Sequence, residues 1–233
     1  MLTIRKLVRA LYERTPYTGN QIVLPEFRCS PGLGLLYDLA AHVPPLLQAF
    51  DSLSNKSDPA LLYSLDILQQ ELETWLTSAF RSEQRNGTSP LEAERVGLEY
   101  SFQPYGTRVP LWSLTRESFC RICLLLVAEC VDTLLLSRNS TIPHPAFAAK
   151  TRAVQLKSTI RSLARASEIP ASIAKGVSAP IHFLARYYAQ TGDSAGLKWC
   201  ADFKNDILKS APYLRWDVLL PWFLQTVHEL PMR

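Results

Sequence analysis

Long uncharged apolar stretches are absent from this sequence. No segment reaches the roughly 18–20 consecutive apolar residues that a membrane-spanning helix requires, so the sequence predicts no membrane contact of that kind. The charge balance is also modest, because 25 Lys and Arg residues against 21 Asp and Glu residues give a formal net charge of +4. The chain as a whole is therefore no polyanion binder, and a nucleic-acid role would need a local basic patch.

Cysteine is scarce and odd in number. The sequence contains five cysteines in apolar surroundings: Cys29, Cys120, Cys123, Cys130 and Cys200. This usage is more typical of reduced thiols in the cytosol or nucleus than of a disulfide framework. Cys120 and Cys123 form a C-x-x-C pair, but a zinc site needs four converging ligands and the nearest third thiol, Cys130, lies in the same apolar segment. We therefore expect buried structural cysteines and no bound metal.

Catalytic motifs are missing as well. The sequence has no G-x-S-x-G elbow, no P-loop and no complete G-x-G-x-x-G, since Gly32-Leu33-Gly34 is only a fragment. No two aspartates are adjacent, which argues against the aspartate-rich magnesium motif of a terpenoid synthase. Four histidines are present, but no pair has the i, i+4 spacing of a helical metal site: His42, His144, His182 and His228. The sequence predicts neither an enzyme nor a cofactor.

Helical periodicity dominates what is present. The clearest helix is predicted from Pro59 to about Phe80, with Asp58 as its N-cap and proline at the first helical position. The segment Leu114–Ser137 is apolar on most sides, which is typical of the central helix of a bundle. Charged residues within it favour a core helix over a membrane helix.

The remaining helices are bounded by proline and glycine. A helix over residues 35–43 is expected to stop at Pro44 and Pro45, because proline lacks the donor N–H, with a short continuation over 46–50. Further helices are predicted over 145–165, from Pro180 with Ser178 as its cap, after Gly192-Asp193, and over 217–230. The sequence thus predicts an all-α protein, an irregular bundle or stack of about seven to nine antiparallel helices. Residues 1–233 form a single domain in this interpretation, with long loops at 15–34 and 81–110.

The first sixteen residues allow two interpretations. Apolar side chains such as Leu7 and Leu11 alternate with basic ones such as Arg5 and Arg9. An amphipathic, arginine-rich start is typical of a mitochondrial presequence. It is equally what the first helix of the domain would show, with a solvated basic face, and the absence of serine favours this second interpretation.

One local excess of positive charge stands out. No acidic residue occurs from Thr133 to Ser167. Within this segment four cations fall within about 80° of one another on a helical projection: Lys150, Lys157, Arg161 and Arg165. These residues are the candidate interaction face. Such a face can meet phosphate or an acidic partner, and it can also be a solvated surface opposite the core; no aromatic residues interleave with it in sequence to stack on bases.

The last third of the chain resembles a known family. Leu184-Ala185-Arg186-Tyr187-Tyr188, then Gly192-Asp193, then Trp199-Cys200 resemble the C-terminal end of fungal-specific transcription-factor regulatory regions. Upstream, the segment Leu72–Trp75, the linker end Val109-Pro110-Leu111-Trp112 and the apolar helix Phe119–Leu136 follow in the same order. The resemblance covers about residues 30–230 and consists of helices and aromatic residues.

The resemblance implies an all-α regulatory domain of the kind attached to a binuclear zinc cluster. In that family six cysteines hold two zinc ions and the cluster reads DNA. No cysteine-rich segment precedes Cys29 and no basic linker with heptads follows it. None of the family's zinc-binding or base-contacting residues can therefore be assigned in this sequence, and direct DNA binding is not expected.

Two hypotheses of different class follow. In the first, the chain is a nuclear regulatory domain that acts through a protein partner or a homodimer, or through a small apolar effector held in its helical core. In the second, it is a helical small-molecule-binding protein or an enzyme with an unrecognised site, with Leu114–Ser137 lining the cavity. A cytoplasmic location is the alternative to the nucleus.

Overall fold

The structure is a computed structural model that describes residues 2–15, 31–53, 58–85, 100–102, 108–137, 148–166 and 170–210. These residues form seven helices and two short strands. The helices are α1 (Leu2–Glu13), α2 (Pro31–Asp51), α3 (Pro59–Arg85), α4 (Leu111–Ser137), α5 (Ala148–Ala166), α6 (Pro170–Thr191) and α7 (Ser194–Ser210). The all-α class is confirmed. The predicted helix over 217–230 lies outside the described residues.

A small antiparallel hairpin is the one β-element of the described chain. Strands β1 (Tyr100–Phe102) and β2 (Arg108–Pro110) pair in the register Tyr100↔Pro110. The sequence predicts no strand here, because three residues are too few to show a clear alternation of apolar and polar positions. The hairpin lies within the predicted loop 81–110, whose first five residues continue α3.

The chain divides into two compact units. The described residues of Met1–Ala93 and Arg116–Gln155 form the first, and those of Glu94–Thr115 and Leu156–Arg233 form the second. Within the first unit α1 packs on α2 and α2 packs on α3; within the second α6 packs on α7. The single domain expected from the sequence stays a prediction.

Helix α3 begins as its sequence predicts. The Asp58 carboxylate accepts hydrogen bonds from the backbone N–H groups of Ala60 at 2.8 Å and Leu61 at 3.3 Å. These bonds satisfy two of the donors that a helix N-terminus leaves without intrahelical partners. The face presented to the core is apolar and buried, and it carries Leu61, Leu65, Leu68, Leu72 and Trp75.

The predicted helix end at Pro44 and Pro45 and the predicted helix start at Pro180 are both wrong. Helix α2 continues through Pro44 and Pro45, and α6 begins at Pro170 and continues through Pro180. Ser178 is therefore a buried residue inside α6 and not its N-cap. A proline costs a helix one hydrogen bond and some steric strain. On either side of these prolines α2 and α6 bury apolar residues, which offsets that cost: Ala40, Val43, Leu47, Val177, Phe183 and Leu184.

The turn from α6 to α7 is built by Gly192 and Asp193. Gly192 has a φ of +70°, the left-handed conformation in which glycine pays no steric penalty. Its N–H bonds the carbonyl of Ala189 at 3.4 Å, and the Asp193 N–H bonds that of Tyr188 at 2.9 Å, the two bonds of a Schellman motif. The Asp193 carboxylate then caps α7 by accepting the Gly196 N–H at 2.8 Å.

Helix α1 is part of the first unit. Leu7 and Leu11 have no exposed surface. The helix ends at Glu13 and is followed by Arg14, a non-glycine residue with a φ of +53°. The Arg14 guanidinium lies 2.6 Å from Asp51 at the end of α2 and 3.4 Å from Glu129 of α4. Leu7 and Leu11 of this helix are therefore part of the core of the first unit.

Candidate interaction face on helix α5

The four predicted interaction residues lie on α5, and we call them the basic face. Lys150, Arg161 and Arg165 are exposed, and Lys157 is half-buried. The helical rise of about 1.5 Å per residue makes the face roughly 22 Å long from Lys150 to Arg165. Val154 lies on the same side of the helix and is 59% exposed. An apolar side chain therefore stands among the cations.

The Trp199 ring of α7 lies against two cations of this face. The Lys157 Nζ lies 4.4 Å from the centroid of the Trp199 ring, and the Arg161 Cζ lies 5.5 Å from it. Phe203, one helical turn further along α7, packs on Trp199 with ring centroids 5.2 Å apart. Both distances from the cations are within the range of a cation–π interaction, which holds a cation over the ring face.

Trp199 and its neighbour Cys200 differ in burial. Trp199 is half-buried, whereas Cys200 is 3% exposed. The reason is the direction of the ring, which lies under the α5 cations. The basic face therefore has an aromatic neighbour that residues 150–165 do not supply, since Trp199 follows Arg161 by 38 residues.

Three cations of this face have no acidic partner in the part of the chain that the structure describes. Among the described residues no carboxylate forms an ion pair with Lys157, Arg161 or Arg165. Other arginines of the fold behave differently: Arg14 pairs with Asp51 and Glu129. The described carboxylates therefore do not compensate the charge of Lys157, Arg161 and Arg165.

Arg152, also on α5, belongs to a separate polar network in the first unit. It pairs with Glu73 of α3 and bonds the Gln155 side chain at 3.2 Å. Arg121 of α4 donates to the same Gln155 oxygen at 3.2 Å and to Glu117 at 2.6 Å. Two arginines and two carboxylates balance, so this network ties α3, α4 and α5 together and leaves no net charge for a ligand.

The C-x-x-C pair is buried. Cys120 and Cys123 have no exposed surface, and the Cys120 Sγ lies 3.5 Å from the carbonyl oxygen of Leu72. Burial raises the pKa of Cys120 to about 12 and raises the pKa of Cys123 well above its ordinary value. Both thiols are therefore protonated at neutral pH, whereas a metal ligand or nucleophile must be a thiolate.

No group of three or more His, Cys, Asp and Glu side chains that could hold a metal ion occurs in the described part of the chain. His42 is exposed on α2, and His182 is partly buried on α6. Burial, and secondly the nearby Lys204 ammonium, lower the pKa of His182 to about 4, so its imidazole is neutral at pH 7. Cys29, His144 and His228 lie outside the described residues.

A concavity of about 630 Å³ lies on the outer side of α7. Its lining is mostly polar and consists of Asp202, Asn205, Asp206, Leu208 and Lys209. This chemistry does not suit a small apolar effector. Over the described ranges, no helix has the length and hydropathy needed to cross a bilayer.

Comparisons of the chain with protein-family models, with curated proteins and with solved structures find no match.

Proposed function

We propose that this chain is a transcription-regulator-like helical domain that acts through protein contacts. The proposal joins the resemblance of residues 30–230 to fungal-specific transcription-factor regulatory regions with one structural observation. That observation is the basic face of α5, where Arg161 and Arg165 are exposed and have no carboxylate partner among the described residues.

Exposed arginines without a carboxylate partner in the described ranges support an interaction role, because complementary charge on a partner speeds association and fixes orientation. An exposed pair contributes only about 0.2–1 kcal/mol, so a face of four cations suits regulated, reversible contacts. The buried and protonated thiols of Cys120 and Cys123 favour binding over redox chemistry. In this proposal the domain works in the nucleus, and it reaches DNA only through a partner or a separate DNA-binding region.

A tethering experiment tests the proposal. The full chain is fused to a heterologous DNA-binding domain, and transcription of a reporter carrying its binding sites is measured in a fungal cell. We expect the fusion to raise or lower reporter transcription relative to the DNA-binding domain alone. A reporter that does not respond, with the fusion present in the nucleus at normal abundance, would contradict a role in transcription.

The control variant in that experiment is Leu124→Asp. Leu124 of α4 has no exposed surface, and a carboxylate placed there must be either desolvated or released by unfolding. A reporter response that survives this change would come from a short linear segment and not from the folded domain. A fluorescent fusion of the wild-type chain checks the nuclear location in the same cells.

A further inference from the structure

We infer that the basic face of α5 binds an acidic peptide segment of a partner protein, one that carries aliphatic side chains between its carboxylates. The inference rests on the proposed function, since it names the partner chemistry of that protein contact. It also assigns Trp199 as the residue that positions two of the cations.

The first step concerns the positive charge on α5. From Thr133 to Ser167 the sequence has no acidic residue, and Arg152 is neutralised by Glu73 in the first unit. Lys157, Arg161 and Arg165 have no carboxylate partner in the described ranges. A chain of carboxylates running along α5 would supply the missing opposite charge.

The second step concerns how far the cationic side chains are ordered before a partner binds. Lysine and arginine lose much side-chain entropy when a partner immobilises them, and this loss weakens binding. Here the Trp199 ring, 4.4 Å from the Lys157 Nζ and 5.5 Å from the Arg161 Cζ, already restricts both side chains. The partner therefore meets cations that are partly ordered before binding.

The third step separates a peptide from a nucleic acid. Single-stranded nucleic acids bind through aromatic faces on which bases stack, but the Trp199 ring is already in contact with two cations and Phe203. Val154 is 59% exposed on the same side of α5, and a leucine or valine of a peptide can cover it whereas a phosphate cannot. These two observations favour the acidic peptide.

Fluorescence anisotropy with synthetic probes tests the inference on the full chain. The main probe is a labelled peptide of about ten residues, long enough when extended to cover the face, in which Glu alternates with Leu. Its matched probe has Gln at every Glu position, and a third probe is a single-stranded DNA oligonucleotide. Titrations at low salt, about 50 mM, leave surface charges weakly screened.

The decisive variant is Arg161→Gln with Arg165→Gln, which removes two exposed charges. Its matched control is Arg9→Gln with Lys209→Gln, which removes two charges that are also exposed but lie on α1 and α7. We expect the first variant to lose about tenfold in affinity for the Glu/Leu peptide and the control to lose little. Val154→Ser and Trp199→Leu are each expected to weaken binding. The salt dependence of the affinity should fall more in Trp199→Leu than in Val154→Ser.

Three results would overturn the inference. One is no binding of the Glu/Leu peptide at low salt, and another is equal loss in the Arg9/Lys209 control, which would show general charge attraction only. The third is tighter binding of the DNA oligonucleotide than of the peptide. If any of these occurs while the tethered wild-type chain still changes reporter transcription, the partner chemistry is wrong and the proposed function stands.

Discussion

The phenol ring of Tyr188 at the end of α6 lies against Gly196 in the first turn of α7. A Cβ added to Gly196 would be only 2.5 Å from the Tyr188 Cγ, and Tyr188 is 6% exposed. The Tyr188 Cγ cannot move away easily, because it is only two bonds from the Cα. Gly196 therefore sets how closely α6 and α7 approach each other.

Gly196→Ala is expected to lower the free energy of unfolding by about 1–3 kcal/mol, the range for overpacking a filled site. Urea denaturation followed by circular dichroism measures the change. The matched control is Gly176→Ala inside α6, where the new Cβ would meet Leu163 at 3.5 Å and Thr115 at 3.6 Å, both ordinary contacts. That variant is expected to gain about 0.5–1 kcal/mol, because alanine favours a helix interior over glycine. Equal effects of the two changes would show that Tyr188 does not limit the approach.

The Arg14 side chain makes two ionic contacts that stabilise the fold, but its backbone has a positive φ that is unfavourable for a residue with a Cβ. Arg14→Ala removes the contacts to Asp51 and Glu129 and leaves the Glu129 carboxylate, 14% exposed, without this cation. We expect a loss of about 2 kcal/mol, less than for a fully buried pair. Arg14→Gly loses the same contacts but accepts the φ of +53° without strain. It should be about 1 kcal/mol more stable than the alanine variant, and a glycine variant no more stable would show that the backbone there carries no strain.

The lowered pKa of His182 predicts that the free energy of unfolding decreases in mild acid. Its pKa is about 4 in the folded protein, lowered by burial and then by Lys204, against about 6.5 in an unfolded chain. Between these values the unfolded state binds the proton and the folded state does not, so the stability present above pH 6.5 falls as the pH drops towards 4. The loss amounts to at most about 3 kcal/mol, since one pKa unit corresponds to about 1.4 kcal/mol.

The measurement is the difference in unfolding free energy between wild type and His182→Gln from pH 7.5 to pH 4. Subtracting the two curves removes the titration of carboxylates, which both proteins share. We expect wild type to lose stability more steeply below pH 6.5. Parallel curves would contradict a buried neutral imidazole.

The cysteines predict slow thiol chemistry in the folded state. The four in the described residues are buried, and burial raises the pKa of Cys200 to about 11, with Lys157 opposing the effect. A thiol reagent needs an accessible thiolate, so Cys120, Cys123, Cys130 and Cys200 should react only when the protein unfolds. Mass-spectrometric mapping after brief alkylation, with and without denaturant, checks this. Rapid labelling of Cys120 or Cys123 in the native protein would reopen the C-x-x-C pair as a chemical site.

Local signals predicted several elements correctly. Asp58 followed by proline marks the start of α3, because a side-chain acceptor and a proline at the first helical position are both read within a few residues. Gly192-Asp193 likewise marks the end of α6 and the start of α7. The apolar character of Leu114–Ser137 predicts a helix buried on most sides, and α4 carries buried residues from Leu114 to Leu134.

Predictions that depend on packing were less successful. Pro44 is a strong local signal for a helix end, and Ser178 followed by Pro180 is one for a helix start. Both prolines nevertheless lie inside helices, because the buried faces of α2 and α6 outweigh their cost. The candidate face shows the same limit. Its four cations can be identified from helical spacing alone. The contacts of Lys157 and Arg161 with Trp199, however, join residues 42 and 38 positions apart in sequence, and no local pattern predicts a contact over that separation.

The sequence by itself determined the helical class, the principal caps and the set of cations on α5, because each depends on residues within a few turns of one another. Only the tertiary structure decided which charges pair with one another among the described residues. It pairs Arg152 with Glu73, places Lys157 and Arg161 over Trp199, and leaves Arg165 without a carboxylate among the described residues. The physical reason is that a charge acts over the distances of the folded chain, and those distances exist only after the helices have packed.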